Sequence, residues 1–272
     1  MSTSPDRLRL PSRLFDDGDF HLPIKSRSSE APTLHMRFPV RLLDDEGLRR
    51  FVFSEFHGAG FEVQERDLLA ALMKPSDLFV DVGAHFGLFS LVLAEIFPDL
   101  SCLAVEPSPE NFDILAGNIR FNALADRITI VQCAVGDRTG RATLRLNSSM
   151  GHHLSREPVT NSQGAIEVDL LTLDALVAEH AGAENQLRPI WLKIDTEGRE
   201  ADALKGAVGL FQAERVKGVL WEFRVGHLIN PDKEDIFRFF GEFGFRSFQI
   251  SDSNIISVLD PVLQDRLTAM GF

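Results

Sequence analysis

The stretch Leu78-Phe-Val-Asp-Val-Gly-Ala-His-Phe-Gly87, followed by Leu88-Phe-Ser-Leu-Val-Leu-Ala94, constrains the fold of this chain more than any other feature. An apolar strand feeds a turn with glycines at 83 and 87, and the turn opens directly into an apolar helix. Units of this kind recur. Strands are expected at 78–82, 101–105, 128–132, 190–194, 217–223, 245–250 and 254–259, with helices at 87–96, 109–121, 172–180, 200–212 and 232–243. This alternation predicts an α/β fold built on a mostly parallel sheet of seven strands with right-handed crossovers. The last two strands, joined only by Ser251-Asp-Ser253, must be antiparallel.

In an open α/β sheet the carboxyl end of the first strand is where a nucleotide-like ligand binds. Gly83 and Gly87 let the backbone turn tightly there, and the new helix offers free N–H groups. A dinucleotide fingerprint requires G-x-G-x-x-G. Here Ala84-His85-Phe86 separates the two glycines, a poor cradle for a diphosphate. Glu106 follows Gly87 by 19 residues, at the end of the next expected strand. That matches the roughly 20-residue interval at which a carboxylate takes a ribose diol. A ribose acid beside a turn that suits no diphosphate points to S-adenosylmethionine (SAM), a nucleoside with an amino-acid tail.

Elsewhere the chain is less regular. Residues 1 to about 33 are rich in Ser, Pro, Asp and Arg and read as a mobile or loosely docked arm. His35–Val40 and Arg50–Phe53 are expected to form a short hairpin, and Gln64–Met73 a helix ended by Pro75. Ser108-Pro109 and Asn230-Pro231 read as helix starts. Arg141–Leu146 alternates like an exposed strand that pairs with Ile166–Asp169. The polar loop 147–154 between them is placed above the cofactor mouth, within a substrate-side insertion spanning 138–170. The division expected is an N-terminal arm over 1–50 and a catalytic domain over 51–272.

Five motifs in order carry a family resemblance: Phe79–Gly87, Val105-Glu-Pro-Ser-Pro-Glu-Asn-Phe112, Ala134-Val-Gly-Asp137, Leu192-Lys-Ile-Asp-Thr-Glu-Gly198 and Leu204-Lys-Gly-Ala207. Over roughly residues 50 to 258 the chain resembles the FkbM family of SAM-dependent methyltransferases. The resemblance implies a Rossmann-like class I methyltransferase fold whose parallel sheet is finished by a reversed C-terminal strand. It also implies a cofactor site drawn from Asp81, Gly83, Ala84, His85, Gly87, Glu106, Cys133 and Ala134. Glu106 would hold the ribose, Asp81 would fix the turn or meet the ammonium, and Cys133-Ala134 would edge the adenine. His85 stands where the family usually carries Asn. Asn111 and Phe112 are expected to pack rather than bind.

Methyl transfer to a hydroxyl needs alignment of the acceptor and a base for its proton. Strand ends supply Asp195, Glu197 and Glu222 as catalytic candidates: Asp195 facing the acceptor or the ammonium of SAM, Glu197 as base or substrate ligand, and Glu222 as substrate ligand or base. Bland readings stand beside them: Asp195 or Thr196 as a cap for the helix near 200, Lys193 as an ordinary ion-pair partner, and Glu222 paired with Arg224 or Lys193. His227 is a weaker base candidate, and His152 and His153 read as a solvent-facing loop pair. No C-x-x-C or H-x-x-x-H spacing marks a metal site. A divalent ion on Asp195, Glu197 and Glu222 stays open, because sequence does not show whether they converge.

A formal charge of −12 argues against nucleic acid or anionic membranes as partners, since binding phosphates needs concentrated Lys and Arg. It favours a small neutral or cationic acceptor, and the family resemblance implies a small-molecule or glycan hydroxyl. Cys102 and Cys133 fall in or beside expected strands and suit a reducing compartment. No apolar signal segment opens the sequence, and no run reaches the roughly 18 residues a membrane span needs. The expectation is a cytoplasmic enzyme, with a homo-oligomer left open. O-methylation of a natural product, small molecule or glycan is the leading reading. A nicotinamide oxidoreductase and a non-catalytic SAM-binding module are the alternatives.

Overall fold

A computed structural model describes residues 15–16, 18–24, 34–56, 60–146, 153–155, 164–225 and 228–272. The elements used below are, in chain order, β1 (Asp19–Ile24), β2 (Leu34–Pro39), α1 (Glu46–Phe56), α2 (Val63–Leu72), β3 (Leu78–Val82), α3 (Leu88–Ile96), β4 (Ser101–Val105) and α4 (Pro109–Phe121). They continue with β5 (Ile128–Val131), β6 (Gly140–Arg145), β7 (Ala165–Leu171), α5 (Leu173–His180), β8 (Ile190–Ile194), α6 (Glu200–Lys205), α7 (Val208–Gln212) and β9 (Val216–Glu222). The chain closes with α8 (Lys233–Glu242), β10 (Arg246–Gln249), β11 (Asn254–Val258) and α9 (Pro261–Ala269).

The central sheet has seven strands in the order β10-β11-β9-β8-β3-β4-β5. β3 pairs in parallel with both β4 and β8, and all five of its residues are buried. Strands buried on both faces read as continuous apolar runs rather than alternating ones, which is why the sequence marked them clearly. β11 is the reversed strand. It lies between β9 and β10, antiparallel to both, rather than at the sheet's edge.

Each face of the sheet is covered by a separate apolar cluster. One cluster holds α5, α6, α7 and α8 against the sheet; the other holds α2, α3 and the N-terminal segment. The expected helix over 200–212 is two helices. A Cβ on Gly206 would sit 2.1 Å from the Gly136 carbonyl oxygen, so the backbone there is pressed against a neighbouring loop and the helix breaks. The helix expected from 232 starts at Lys233 with no side-chain cap; Asn230 instead accepts the Asp232 N–H at 2.9 Å.

The N-terminal expectations are corrected. β1 pairs with β2, and Phe20, Leu22, Ile24, Leu34, Met36 and Phe38 are all buried. In Asp19-Phe-His-Leu-Pro-Ile24 every second residue is apolar, so one strand face enters the core while the polar composition suggests an arm. Residues 1–14 and 25–33 lie outside the described residues. Arg50–Phe53 belongs to α1 rather than to a hairpin strand, and its Phe51 and Val52 are buried. The exposed edge of β2 is covered by α4: Asn122 exchanges hydrogen bonds with the His35 backbone, and Asn118 accepts the Arg37 N–H at 2.7 Å. Asn118 also donates to the Phe86 carbonyl, which ties this hairpin to the glycine turn.

β6 and β7 pair antiparallel as expected, and 153–154 joins the outer edge of β6. Among the described residues no helix is long and apolar enough to cross a membrane.

Candidate active site

A cavity opens over the carboxyl ends of β4, β3, β8 and β9. It is lined by the Gly83–Phe86 turn, by Glu106, Asn111 and Cys133–Val135, and by Asp195, Thr196, Glu197 and Glu222. Met36, Phe51, Phe61 and Glu62 close it from the N-terminal side, and Leu144 and Leu154 from the inserted sheet. Gly87 and Asp81 are not among the lining residues.

The glycine turn is fixed by its surroundings. Gly83, His85 and Gly87 all have positive φ. A Cβ on Gly83 would fall 1.9 Å from the Asp195 carbonyl oxygen, so only glycine lets β3 and β8 approach this closely. The Gly83 and Ala84 N–H groups both donate to the Val105 carbonyl. His85 contributes its backbone N–H, which donates to Glu106 Oε2 at 2.9 Å, while its ring lies 3.6 Å from that of Phe86. Asp81 sits beneath the turn. Its Oδ2 accepts the Ser90 hydroxyl at 2.7 Å, and its Oδ1 is buried without a hydrogen-bond partner.

Glu106 is buried at the end of β4. Its Oε1 accepts the Ser108 N–H at 2.9 Å, and Asn111 hydrogen-bonds it as well. Asn111, expected only to pack, therefore belongs to the cavity wall. Burial lifts the Glu106 carboxyl to about 7 against the pull of these donors. Ser108 precedes a first-turn proline as expected but makes no side-chain cap.

The acids at the ends of β8 and β9 converge on the same space. Asp195 accepts from Lys193 Nζ at 3.0 Å, so it is an ion-pair partner of Lys193 and not a cap; the helix that follows has no side-chain cap at its first residue. Lys193 is buried, with Nζ 5.0 Å from the Phe89 ring centre. Burial alone would depress its ammonium, but Asp195, Asp81 and Glu62 outweigh it and hold it charged. Glu197 occupies the left-handed region, followed by Gly198 in the same region.

Glu200, which sequence reasoning missed, holds this turn together. One carboxylate oxygen accepts from Thr196 N, Thr196 Oγ1 and Gly198 N at 2.9, 2.9 and 3.2 Å. The other accepts from Asn230 Nδ2. Glu200 is the first residue of α6 and reaches back to the turn that precedes the helix; its spacing of four from Thr196 is not that of a capping box, so the sequence carried no signal for it.

Desolvation raises Glu197, and Asp195 and Glu200 raise it further. Desolvation also raises Glu222, followed by Asp195, Glu197 and Glu200, and its Oε2 is buried without a hydrogen-bond partner. Burial and neighbouring carboxylates thus hold both groups well above the usual carboxylate range. Glu62, also missed by sequence reasoning, is lifted to about 7 by burial. His152, the side chain of His153, the side chain of Arg224 and His227 lie outside the described residues. Among the described residues no group of three or more His, Cys, Asp or Glu is arranged to hold a metal.

A seven-stranded sheet of this order, with a glycine turn and the buried carboxylate of Glu106 at adjacent strand ends, is a Rossmann-like methyltransferase fold. The comparisons narrow the class. Residues 81–247 match the family model described as the methyltransferase FkbM domain. The chain belongs to the FkbM methyltransferase family. It is 29% identical over 158 residues to methyltransferase sdnD of Sordaria araneosa, a match covering 48% of this chain and 61% of that protein. It is 37% identical over 68 residues to the 31-O-demethyl-FK506 methyltransferase FkbM of Streptomyces tacrolimicus, covering 25% of each. A precorrin-6y C5,15-methyltransferase from Geobacter metallireducens superposes with a TM-score of 0.42 at 11% identity, covering 74% of this chain and 89% of that one. The matched region spans about three-fifths of the length of the first two curated relatives.

Proposed function

We propose that this chain is a SAM-dependent methyltransferase acting on a hydroxyl of a small molecule, natural product or glycan. The observation that carries the reading is the charge pattern of the cavity. Its described lining contains Glu62, Glu106, Asp195, Glu197 and Glu222 but no Lys or Arg. Such a wall suits a sulfonium and an ammonium, and among the described lining it gives a diphosphate no cationic side chain. This counts against a nicotinamide cofactor.

The residues fit SAM in detail. Glu106 accepts the His85 and Ser108 N–H groups and a hydrogen bond from Asn111, which leaves one of its four lone-pair sites for a ribose hydroxyl. Cys133, Ala134 and Val135 offer apolar surface and backbone for adenine. Gly83 and Ala84 keep side-chain bulk away from the amino-acid tail. When bound, SAM supplies an electrophilic methyl group on its sulfonium.

The chain's own work is then positioning and proton handling. Phe51 and Phe61 line the outer cavity with apolar surface that keeps water away from the reacting groups. Burial raises both Glu197 and Glu222, and charge repulsion from neighbouring carboxylates raises them further. Glu222, with the more strongly raised carboxyl, stays protonated and donates a hydrogen bond that orients the acceptor. Glu197, raised to about 8, ionises before Glu222 as pH rises, and its carboxylate form takes the acceptor's hydroxyl proton. A positioned base of this kind contributes roughly 10²–10⁴-fold to the rate.

The test is release of S-adenosylhomocysteine from SAM in the presence of a panel of hydroxylated natural products, amino sugars and neutral sugars. The expected result is turnover with at least one acceptor, cut about a hundredfold or more in Glu197→Gln with cofactor affinity retained. No turnover above the acceptor-free rate across the panel, or full activity in Glu197→Gln, would count against this reading.

A further inference from the structure

Part of the cavity wall lies before the matched family region at 81–247: Met36, Phe51, Phe61 and Glu62. Glu62 stands out among them. It lies in the left-handed region at φ 50° and begins α2, yet its side chain makes no cap for that helix. A non-glycine residue held in this conformation costs about 1–2 kcal/mol, and the fold gains no helix cap in return.

The position is nevertheless firmly held. Buried Glu55 accepts both the Phe61 N–H at 2.7 Å and Arg66 Nη2 at 2.8 Å, on the same oxygen. These bonds tie the residue before Glu62 and the Arg66 side chain one helical turn after it to the same carboxylate. Asn254 Nδ2 lies 3.4 Å from Glu62 Oε1 and donates to Glu65 at 3.1 Å. The carboxylate faces Lys193 and Asp195. The Lys193 ammonium is already hydrogen-bonded to Asp195, so Glu62 is a carboxylate on the cavity wall without a hydrogen-bonded cation of its own.

Strand order fixes what reaches it. Glu106, Gly83 and Asp195 follow β4, β3 and β8, three neighbours in that order in the sheet. A nucleoside anchored by its ribose at Glu106 extends its tail over Gly83 towards Asp195, where Glu62 closes the cavity from above. We propose that Glu62 is the anionic partner of the cofactor's α-ammonium, so that the N-terminal segment completes the cofactor site. The inference rests on the reading of this cavity as a SAM site.

Two ligands separate the possibilities by calorimetry on the full chain. S-adenosylhomocysteine carries the amino-acid tail; 5′-methylthioadenosine carries the same nucleoside thioether without it. In Glu62→Gln the first should bind about tenfold more weakly or worse, as expected for a lost charged hydrogen bond, while the second binds within about twofold of the parent. The unchanged second affinity also reports that the variant is folded. Unchanged S-adenosylhomocysteine affinity would overturn the assignment, and so would an equal loss for both ligands, since Glu62 would then act only through the fold. A parent protein that binds neither ligand would instead remove the SAM reading on which the inference stands.

Discussion

Glu200→Gln is the substitution whose consequence the structure specifies most fully. Glutamine keeps the shape of Glu200 and can still accept from Thr196 and Gly198 through one oxygen. Its amide nitrogen, placed where the second oxygen was, faces the Asn230 amide nitrogen, and two donors meet. Asn230 cannot flip to relieve this without losing the hydrogen bond it accepts from Asp232 N. A lost hydrogen bond to a charged group costs about 1.5–3 kcal/mol. Three further bonds weaken from charge-assisted to neutral, so a total of about 2–4 kcal/mol is expected. Urea unfolding followed by the fluorescence of buried Trp191 and Trp221 measures it. The reciprocal change Asn230→Asp restores an acceptor opposite the new donor but gives up the weaker bond to the Glu222 carbonyl, so the double variant should recover part of the loss. A single variant within about 0.5 kcal/mol of the parent, or a double variant no more stable than the single one, would refute the network as described.

Three other outcomes follow from the same geometry. Gly83→Ala forces a Cβ to 1.9 Å from the Asp195 carbonyl oxygen at φ +73°; a stability loss of about 1–3 kcal/mol and loss of cofactor binding are expected by unfolding and calorimetry. Leu22→Ala, in a side chain with no exposure, should cost about 2–5 kcal/mol in the same unfolding assay if β1 belongs to the core, and almost nothing if the N-terminus is a loose arm. Glu62 and Glu106 are both held up at about 7 in the fold, from an ordinary value of 4.5. Between those two values the folded state binds more protons than the unfolded one, so stability falls as pH rises through the window. The melting temperature should be higher at about pH 5.5 than at about pH 8, with a smaller difference in Glu62→Gln.

The sequence made the parallel core legible because strands such as Leu78–Val82 and Ile190–Ile194 are buried at every position and read as short apolar runs. Helices such as Pro109–Phe121 follow a starting proline. What misled was local composition. In β1 the apolar residues alternate with Asp, His and Pro, and in α1 the phenylalanines at 51, 53 and 56 suggest a strand although they lie on an amphipathic helix. Carboxylates on the glycine-turn and strand-end motifs were visible at 106, 195, 197 and 222. Glu62 was not, because its neighbours Lys193, Asp195 and Asn254 are more than a hundred residues away in the chain. Asp81 shows the opposite error: a motif position that faces Ser90 beneath the turn rather than the cavity. Residue type gave its chemistry, and only packing gave its direction.

The central claim is that Glu106 and the glycine turn hold a SAM-type nucleoside. Calorimetric titration of the purified protein with SAM and with NAD, repeated on Glu106→Ala, tests it most directly. The account predicts micromolar binding of SAM, no comparable binding of NAD, and loss of SAM binding in a variant that stays folded. A folded parent protein that does not bind SAM, or a Glu106→Ala variant that binds it as well as the parent, would contradict it.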